Sequence, residues 1–127
     1  MRIPATLALA AVSLSACTAG PERLVEQGYT RGALAVAAID RKDWAAAEQA
    51  LTSRHDVAAD DPARLINLGK VYMETGRSGA AMSAWRLALA SPSHFMVETG
   101  DGRWVSTRDL AQQALATYGQ DVRSASR

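Results

Sequence analysis

Few residues of this chain have the types and spacing that catalysis requires. The two histidines, His55 and His94, lie far apart in polar surroundings, where solvated side chains are expected. Asp60 and Asp61 resemble a metal-binding pair, but next to a helical segment such carboxylates more often complement the positive end of a helix dipole. The sequence contains no zinc-binding His-Glu-x-x-His, no paired Cys-x-x-Cys, no phosphate loop and no nucleophile elbow. It therefore predicts no enzyme, no metal site and no cofactor.

Cys17, the only cysteine, is the one residue whose position indicates a chemical modification. It follows one basic residue and an apolar run over 3–14, which is the layout of a signal peptide and too short to span a membrane. Residues 14–17, Leu-Ser-Ala-Cys, resemble a bacterial lipobox. The resemblance implies a lipoprotein signal peptide over 1–16 and lipidation of Cys17. The alternatives are an ordinary secretory signal with an incidental cysteine, or a cytosolic N-terminal helix.

The lipobox resemblance also predicts where the protein works. No aspartate directly follows Cys17, which resembles lipoproteins sent to the bacterial outer membrane and facing the periplasm, rather than those kept at the inner membrane. Lipid on this cysteine would then be the membrane anchor.

The charge balance argues against a nucleic-acid partner. The whole chain has 14 Lys+Arg and 13 Asp+Glu, and removing Arg2 with the signal peptide leaves a neutral chain. A neutral domain offers no basic field for phosphates. Hydrophobic residues make up 48% of the chain, and much of this share is alanine, which favours thin, closely packed helices in one domain.

Residues 62–92 carry the strongest structural pattern, two short amphipathic helices joined by a tight turn. Asp61 is predicted to cap the first helix, Pro62 fits its first position, and Gly76 is predicted to end it. Gly69 lies in the middle of that helix, where glycine costs about 1 kcal/mol relative to alanine. We therefore expect a backbone or a bulky ring to pack against Gly69.

This segment resembles a tetratricopeptide repeat (TPR), a unit of helix, turn and helix that is about 34 residues long. The residues at the family's signature positions are Leu68, Gly69, Tyr72, Gly76, Ala81, Trp85, Ala88 and, one residue early, Pro92. Shifted back by one repeat, the pattern recurs in degenerate form over 28–61, with Lys42 at the turn glycine and Arg54 at a small position. The resemblance implies an all-α fold of antiparallel helix-turn-helix repeats, at about 28–61 and 62–92.

A short β-hairpin is predicted over 94–105, after the second repeat. Thr99-Gly100-Asp101-Gly102 is a turn signal between the predicted strands Phe95–Glu98 and Arg103–Val105. Because an isolated hairpin is marginal in water, it should pack against the helices. The candidate anchors are Phe95, Val97 and Trp104. The hairpin either shields the end of the helical stack or presents a contact surface.

The remaining segments complete the predicted organisation. The apolar spacing after the hairpin predicts a capping helix over 106–119 that ends at a glycine. Residues 27–119 would then form the TPR-like domain, with 17–26 as a tether and 120–127 as a frayed tail.

The TPR resemblance implies a protein-binding function. In that family the first helices of successive repeats line a groove that holds an extended peptide or a partner helix. The groove positions carried onto this chain are Val36, Asp40, Ile66, Asn67, Lys70, Met73 and Glu74, together with Tyr29, Ala33, Ile39 and Ala63. Asn67 is the strongest candidate because an amide both donates and accepts, and so can hold a peptide backbone. The alternatives are an Asn67 bonded within the stack and a solvated Lys70.

Three functions remain open on the sequence. The favoured hypothesis is a membrane-anchored periplasmic adaptor that binds another envelope protein, in cell-envelope assembly, secretion or pilus biogenesis. The second is a structural module that self-associates into a homodimer through its repeat ends. The third is an enzyme or ligand carrier, for which the sequence offers no polar pocket residues.

Overall fold

The computed structural model describes residues 23–127. The elements of this part of the chain, in order, are α1 (Val36–Asp40), α2 (Trp44–Ser53), α3 (Pro62–Glu74), α4 (Ser78–Leu89), β1 (Met96–Glu98), β2 (Trp104–Ser106) and α5 (Thr107–Ala125). The fold is helical, with a small antiparallel sheet of two strands before the last helix. The predicted signal peptide over 1–16 and Cys17 lie outside the described residues.

Helices α3 and α4 form the central pair of the fold. The Asp61 side chain accepts the backbone N–H of Arg64 at 2.9 Å and so caps α3, with Pro62 in the first turn. Helix α3 ends at Glu74, and Gly76 takes the left-handed conformation (φ 76°) that reverses the chain. Both ends of α3 were predicted from these residues.

The two helices are joined most closely where Trp85 of α4 covers Gly69 of α3. A Cβ atom on Gly69 would lie 2.2 Å from the indole Nε1 of Trp85, which leaves no room for any other residue. The same Nε1–H donates to the Ile66 carbonyl at 3.2 Å. The prediction that a bulky ring packs on Gly69 is confirmed.

The turn between α1 and α2 has the same geometry as the turn between α3 and α4. Lys42 and Gly76, 34 positions apart, both have positive φ, at 57° and 76°. The equivalent hydrogen bonds are Asp43 N–H to Ala38 O at 2.9 Å and Arg77 N–H to Tyr72 O at 2.8 Å. Two equivalent positions on the second helices, Ala47 with Ala81 and Leu51 with Trp85, are fully buried.

The first helix of the predicted repeat over 28–61 is much shorter than expected. Helix α1 has only 5 residues, because its N-cap Ala35 is left-handed (φ 57°) and the chain before it cannot continue as a helix. The equivalent position in the second pair is Gly69, in the middle of α3. Turns and irregular backbone replace the missing helical turns, and the buried Leu34 lies in that region.

The hairpin packs one face against the helices. Val97 of β1 lies opposite Val105 of β2, and both contact the main apolar cluster. Met96 and Trp104 point to the other face and are 56% and 54% exposed. Val97 is therefore an anchor, whereas the prediction of Trp104 as an anchor is wrong. The strands also begin one residue later than predicted.

The two predicted ends of the domain need correction. The tether predicted over 17–26 does not extend to its last residues, because Leu24 has no exposed surface and forms an antiparallel bridge with Thr99. At the other end α5 continues to Ala125, so most of the tail predicted over 120–127 is helical. Gly119 does not end the helix, since it lies within α5 without a positive φ.

Candidate functional site

The predicted groove residues of α3 form two groups that differ in exposure. Ile66 and Asn67, in the N-terminal half of the helix, are buried. Lys70 and Met73 are half-buried, and Glu74 is exposed. The face of α3 is therefore closed at its N-terminal half and open at its C-terminal half.

Asn67 is fully buried, and its amide is used within the protein. Its Oδ1 accepts the Leu24 N–H at 2.9 Å, and its Nδ2 donates to the Leu34 carbonyl at 2.8 Å. Asn67 is thus not exposed to a partner, which corrects its prediction as a direct contact. Its amide binds backbone groups on both sides, at Leu24 and Leu34, and this backbone belongs to the same chain.

Residues 23–26, which we call the 23–26 segment, lie over the closed half of this face. Leu24 belongs to the same apolar cluster as Ile66, and half-buried Val36 packs against that cluster. Arg23 Nε lies 2.5 Å from a carboxylate oxygen of Asp40 on α1. The predicted groove residues Ile66, Val36 and Asp40 therefore lie beside a segment that the sequence suggested was a tether. Asn67 forms a hydrogen bond to that segment.

Glu26 fixes the loop that leads into α1. Its carboxylate accepts the backbone N–H groups of Gly32 at 2.8 Å and Leu34 at 2.9 Å. Each carboxylate oxygen takes one of these charge-assisted bonds, which are stronger than bonds between neutral groups. No sequence pattern singled out Glu26, because its two partners are backbone groups whose positions depend on the fold.

Tyr29 connects the same loop to the start of α3. Its hydroxyl lies 2.9 Å and 3.1 Å from the two carboxylate oxygens of Asp61, to which it donates. Burial raises the pKa of Tyr29 well above its ordinary value, and the Asp61 carboxylate raises that pKa further. The predicted groove residue Tyr29 is therefore half-buried and structural.

The open half of the face borders a cavity of about 380 Å³. It lies between the C-terminal end of α3, the start of α4 and the last turns of α5, and its lining is mainly apolar. The lining residues are Met73, Ser78, Tyr118, Asp121, Val122, Ala125 and Ser126. A cavity of this kind suits an apolar side chain of a partner, with Asp121 available to a basic neighbour.

Charged side chains lie near this cavity. Lys70 Nζ lies 3.5 Å from a carboxylate oxygen of Glu74, one helical turn away. Burial raises the pKa of Tyr118, and the carboxylates of Glu74 and Asp121 raise it further. Asp121 is the charged residue of the lining, and it favours a partner segment that carries a basic residue beside an apolar one.

The remaining candidates for chemistry have structural roles. His94 is not solvated as predicted: its Nε2 lies 3.2 Å from the Leu89 carbonyl, and its Nδ1 lies 3.1 Å from the Thr107 hydroxyl. Because a carbonyl can only accept, Nε2 donates and Nδ1 accepts, so the ring joins the ends of α4 and α5. His55 is exposed. Within 23–127 no three acidic, histidine or cysteine side chains are placed to hold a metal.

Among the helices of residues 23–127, none is long and apolar enough to cross a membrane. No protein-family model, curated protein or solved structure matches this chain.

Proposed function

We propose that this chain is a membrane-anchored periplasmic adaptor of the TPR type, which binds another protein of the cell envelope. The observation that carries the proposal is the recurrence of one helix-turn-helix geometry after 34 positions. Lys42 and Gly76 have the same backbone conformation, and the hydrogen bonds that close the two turns are equivalent. Such repeats stack thin helix pairs into surfaces for binding proteins.

The partner site of this proposal is the open half of the α3 face. Met73 borders the apolar cavity there, with Tyr118 and Val122 of α5 opposite. Lys70 and Glu74 supply charges of both signs beside it. A partner side chain that is apolar, next to a basic residue, would gain burial in the cavity and attraction from Asp121.

In-cell photo-crosslinking tests the proposed site. A photoreactive residue replaces Met73, and the matched control replaces Gln49, which is exposed on α2. Capture of one envelope protein from position 73 alone is the expected result. Equal capture from both positions, or capture of nothing but a second copy of the chain, would contradict an adaptor site on this face.

The membrane anchor of the proposal is lipid on Cys17, and it is tested separately. Metabolic labelling with palmitate should mark the wild-type protein and leave a Cys17→Ser variant unlabelled. An unlabelled wild-type protein would show that the lipobox resemblance is incidental.

Self-association is the second candidate function, and the hairpin favours it. Met96 and Trp104 lie on the same outer face and are each more than half exposed, which is uncommon for large apolar side chains. A homodimer through this end of the fold would bury both. Analytical ultracentrifugation should then show a mass that rises with concentration, and Trp104→Ser should abolish that rise.

A further inference from the structure

The 23–26 segment is joined to the rest of the fold as an added β-strand. Leu24 forms an antiparallel bridge with Thr99 at the end of β1. The two backbone hydrogen bonds that flank the bridge are Val25 N–H to Glu98 O at 2.9 Å and Gly100 N–H to Arg23 O at 3.0 Å. Addition of an extended strand to an open sheet edge is a common way to bind a peptide, because main-chain bonds require no particular sequence.

Side chains of the 23–26 segment add specificity to these backbone bonds. Arg23 pairs with Asp40 at 2.5 Å, and Leu24 is completely buried in the apolar cluster. Glu26 accepts two backbone N–H groups, at 2.8 and 2.9 Å. Asn67 adds a side-chain bond to the Leu24 N–H at 2.9 Å. Together these contacts select a basic residue, a leucine, any residue and an acidic residue, in that order.

The contacts of Arg23 and Leu24 come from distant parts of the chain, whereas the two backbone partners of Glu26 lie only 6 and 8 residues further on. The covalent connection of the 23–26 segment to the rest of the fold is short. Residues 27–31 link it to the loop before α1, and all of them except Tyr29 are exposed. Within this connection Gly28 has a positive φ of 82°, and a Cβ atom added to it would have no heavy atom within 4 Å. The segment is therefore arranged as a peptide ligand that is tethered to its own binding site.

We propose that this site also binds an extended segment of a partner protein in place of residues 23–26. The partner segment would carry a basic residue, a leucine two positions before an acidic residue, and any residue between them. This inference rests on the proposed adaptor function and gives it a second binding site, with a stated ligand chemistry. The 23–26 segment then acts as a competitor that keeps the site closed until a partner displaces it.

Competition sets the expected behaviour of the site. A tethered segment has a high effective concentration, so a free peptide binds only to the fraction of molecules in which the site is open. Variants that weaken the 23–26 segment should therefore bind a free peptide more tightly. A variant that locks the segment in place should not bind the peptide.

A reversible disulfide provides the first test. Leu24 and Thr99 form a bridge without direct hydrogen bonds between them, and in such antiparallel pairs the Cα atoms are about 4.5 Å apart, which suits a disulfide. The test protein is the mature chain with Cys17→Ser, Leu24→Cys and Thr99→Cys. Its probe is a labelled peptide with the sequence of residues 21–28, Pro-Glu-Arg-Leu-Val-Glu-Gln-Gly, followed by fluorescence anisotropy.

The reduced protein should bind the probe, and the oxidised protein should bind it at least about tenfold more weakly. Circular dichroism of both forms checks that the helices persist. Because Leu24→Cys itself disturbs the core, Leu24→Ala in the Cys17→Ser background is the second variant. It should bind the probe roughly tenfold more tightly than the chain with Cys17→Ser alone, since its own segment competes less well.

Charge reversal tests whether the peptide occupies the proposed site. Asp40→Arg, combined with Leu24→Ala, should weaken binding of the probe several-fold, by roughly the effect of one ion pair. A second peptide, with its arginine replaced by glutamate, should recover binding to the Asp40→Arg protein and bind poorly to the protein that keeps Asp40. A purely structural role of Asp40 would not produce this exchange.

Three results would overturn the proposal. The first is no binding of the probe to a reduced protein that remains helical, and the second is equal binding to the oxidised form. The third is a dimer that forms on reduction and is not dispersed by the peptide. Such a dimer would identify a second copy of the chain as the occupant. The proposed function has its own readout, because capture of an envelope protein from Met73 does not depend on residues 23–26. Failure of the peptide tests alone would leave that adaptor site in place.

Discussion

The two helix pairs share a turn and differ in their first helices. Lys42 and Gly76 occupy equivalent turns, and the equivalent positions Leu51 and Trp85 are both fully buried. However, α1 has 5 residues and α3 has 13. The difference shows that the turn and the second helix define the repeated geometry, whereas the first helix can be largely replaced by other backbone.

The replacement has a specific chemical basis in this protein. Irregular backbone before α1 leaves polar groups that a helix would have paired, and buried groups of this kind need partners. Asn67 and Glu26 supply such partners, through the Leu34 carbonyl and through the N–H groups of Gly32 and Leu34. The second pair has no comparable loop, since α3 satisfies its own backbone.

The largest expected effect compares the two equivalent buried side chains. Trp85→Ala should lower the free energy of unfolding by about 3–5 kcal/mol, because a ring fully enclosed against Gly69 leaves a cavity. Leu51→Ala should also destabilise, by about 2–3 kcal/mol, since a smaller volume is removed. Urea unfolding followed by circular dichroism measures both. A larger effect at Leu51 would mean that the first pair is the main source of stability.

The next effect tests the Asn67 hydrogen bonds, which only the irregular backbone of the first pair needs. Asn67→Ala should cost about 2–3 kcal/mol, because it leaves the buried Leu24 N–H and Leu34 carbonyl without their partner. Glu74→Ala, further along α3 on the exposed side, is the matched control and should cost about 0.5 kcal/mol or less. Equal losses in the two variants would show that the amide is dispensable.

The sequence predicts the second pair better than the first for physical reasons. Asp61, Gly69 and Gly76 act locally, through a cap, a close contact and a left-handed turn, and each has its own residue signal. The short α1 depends on the left-handed conformation of Ala35. An alanine in the sequence gives no indication of that conformation, because alanine rarely adopts it. Its cause is tertiary, because the preceding backbone is held by residues far along the chain.

The residues of the candidate site also differ in how well the sequence predicts them. Met73, Lys70 and Glu74, which the sequence proposed as groove residues, are at least partly accessible. The 23–26 segment falls within the tether that the sequence predicted over 17–26. The available signal was Leu24-Val25, two adjacent apolar residues that a solvated tether has no reason to contain.

A smaller effect compares the two turns directly. Lys42→Gly should stabilise the protein by about 0.5–1 kcal/mol, since glycine adopts φ 57° without the cost that a side chain incurs. Gly76→Ala should destabilise it by about 1 kcal/mol, and backbone conformation is the only cause, because an added Cβ would have no heavy atom within 4 Å. Shifts of the urea midpoint in opposite directions are expected. Shifts of the same sign would mean that the turns are not equivalent.

The smallest effect concerns Tyr29, which links the loop of the first pair to the N-cap of α3. Its folded pKa is raised above the ordinary 10.0, so the stabilisation it adds is complete below pH 10 and is lost as the pH rises further. Tyr29→Phe removes the ionising group and should reduce the loss of stability as the pH rises above about 10. Tyr118→Phe is the matched control, because the pKa of Tyr118 is also raised, by burial and by carboxylates other than Asp61. If Tyr29→Phe left the slope unchanged while Tyr118→Phe removed it, the bond from the loop to Asp61 would not hold the two helix pairs together in solution.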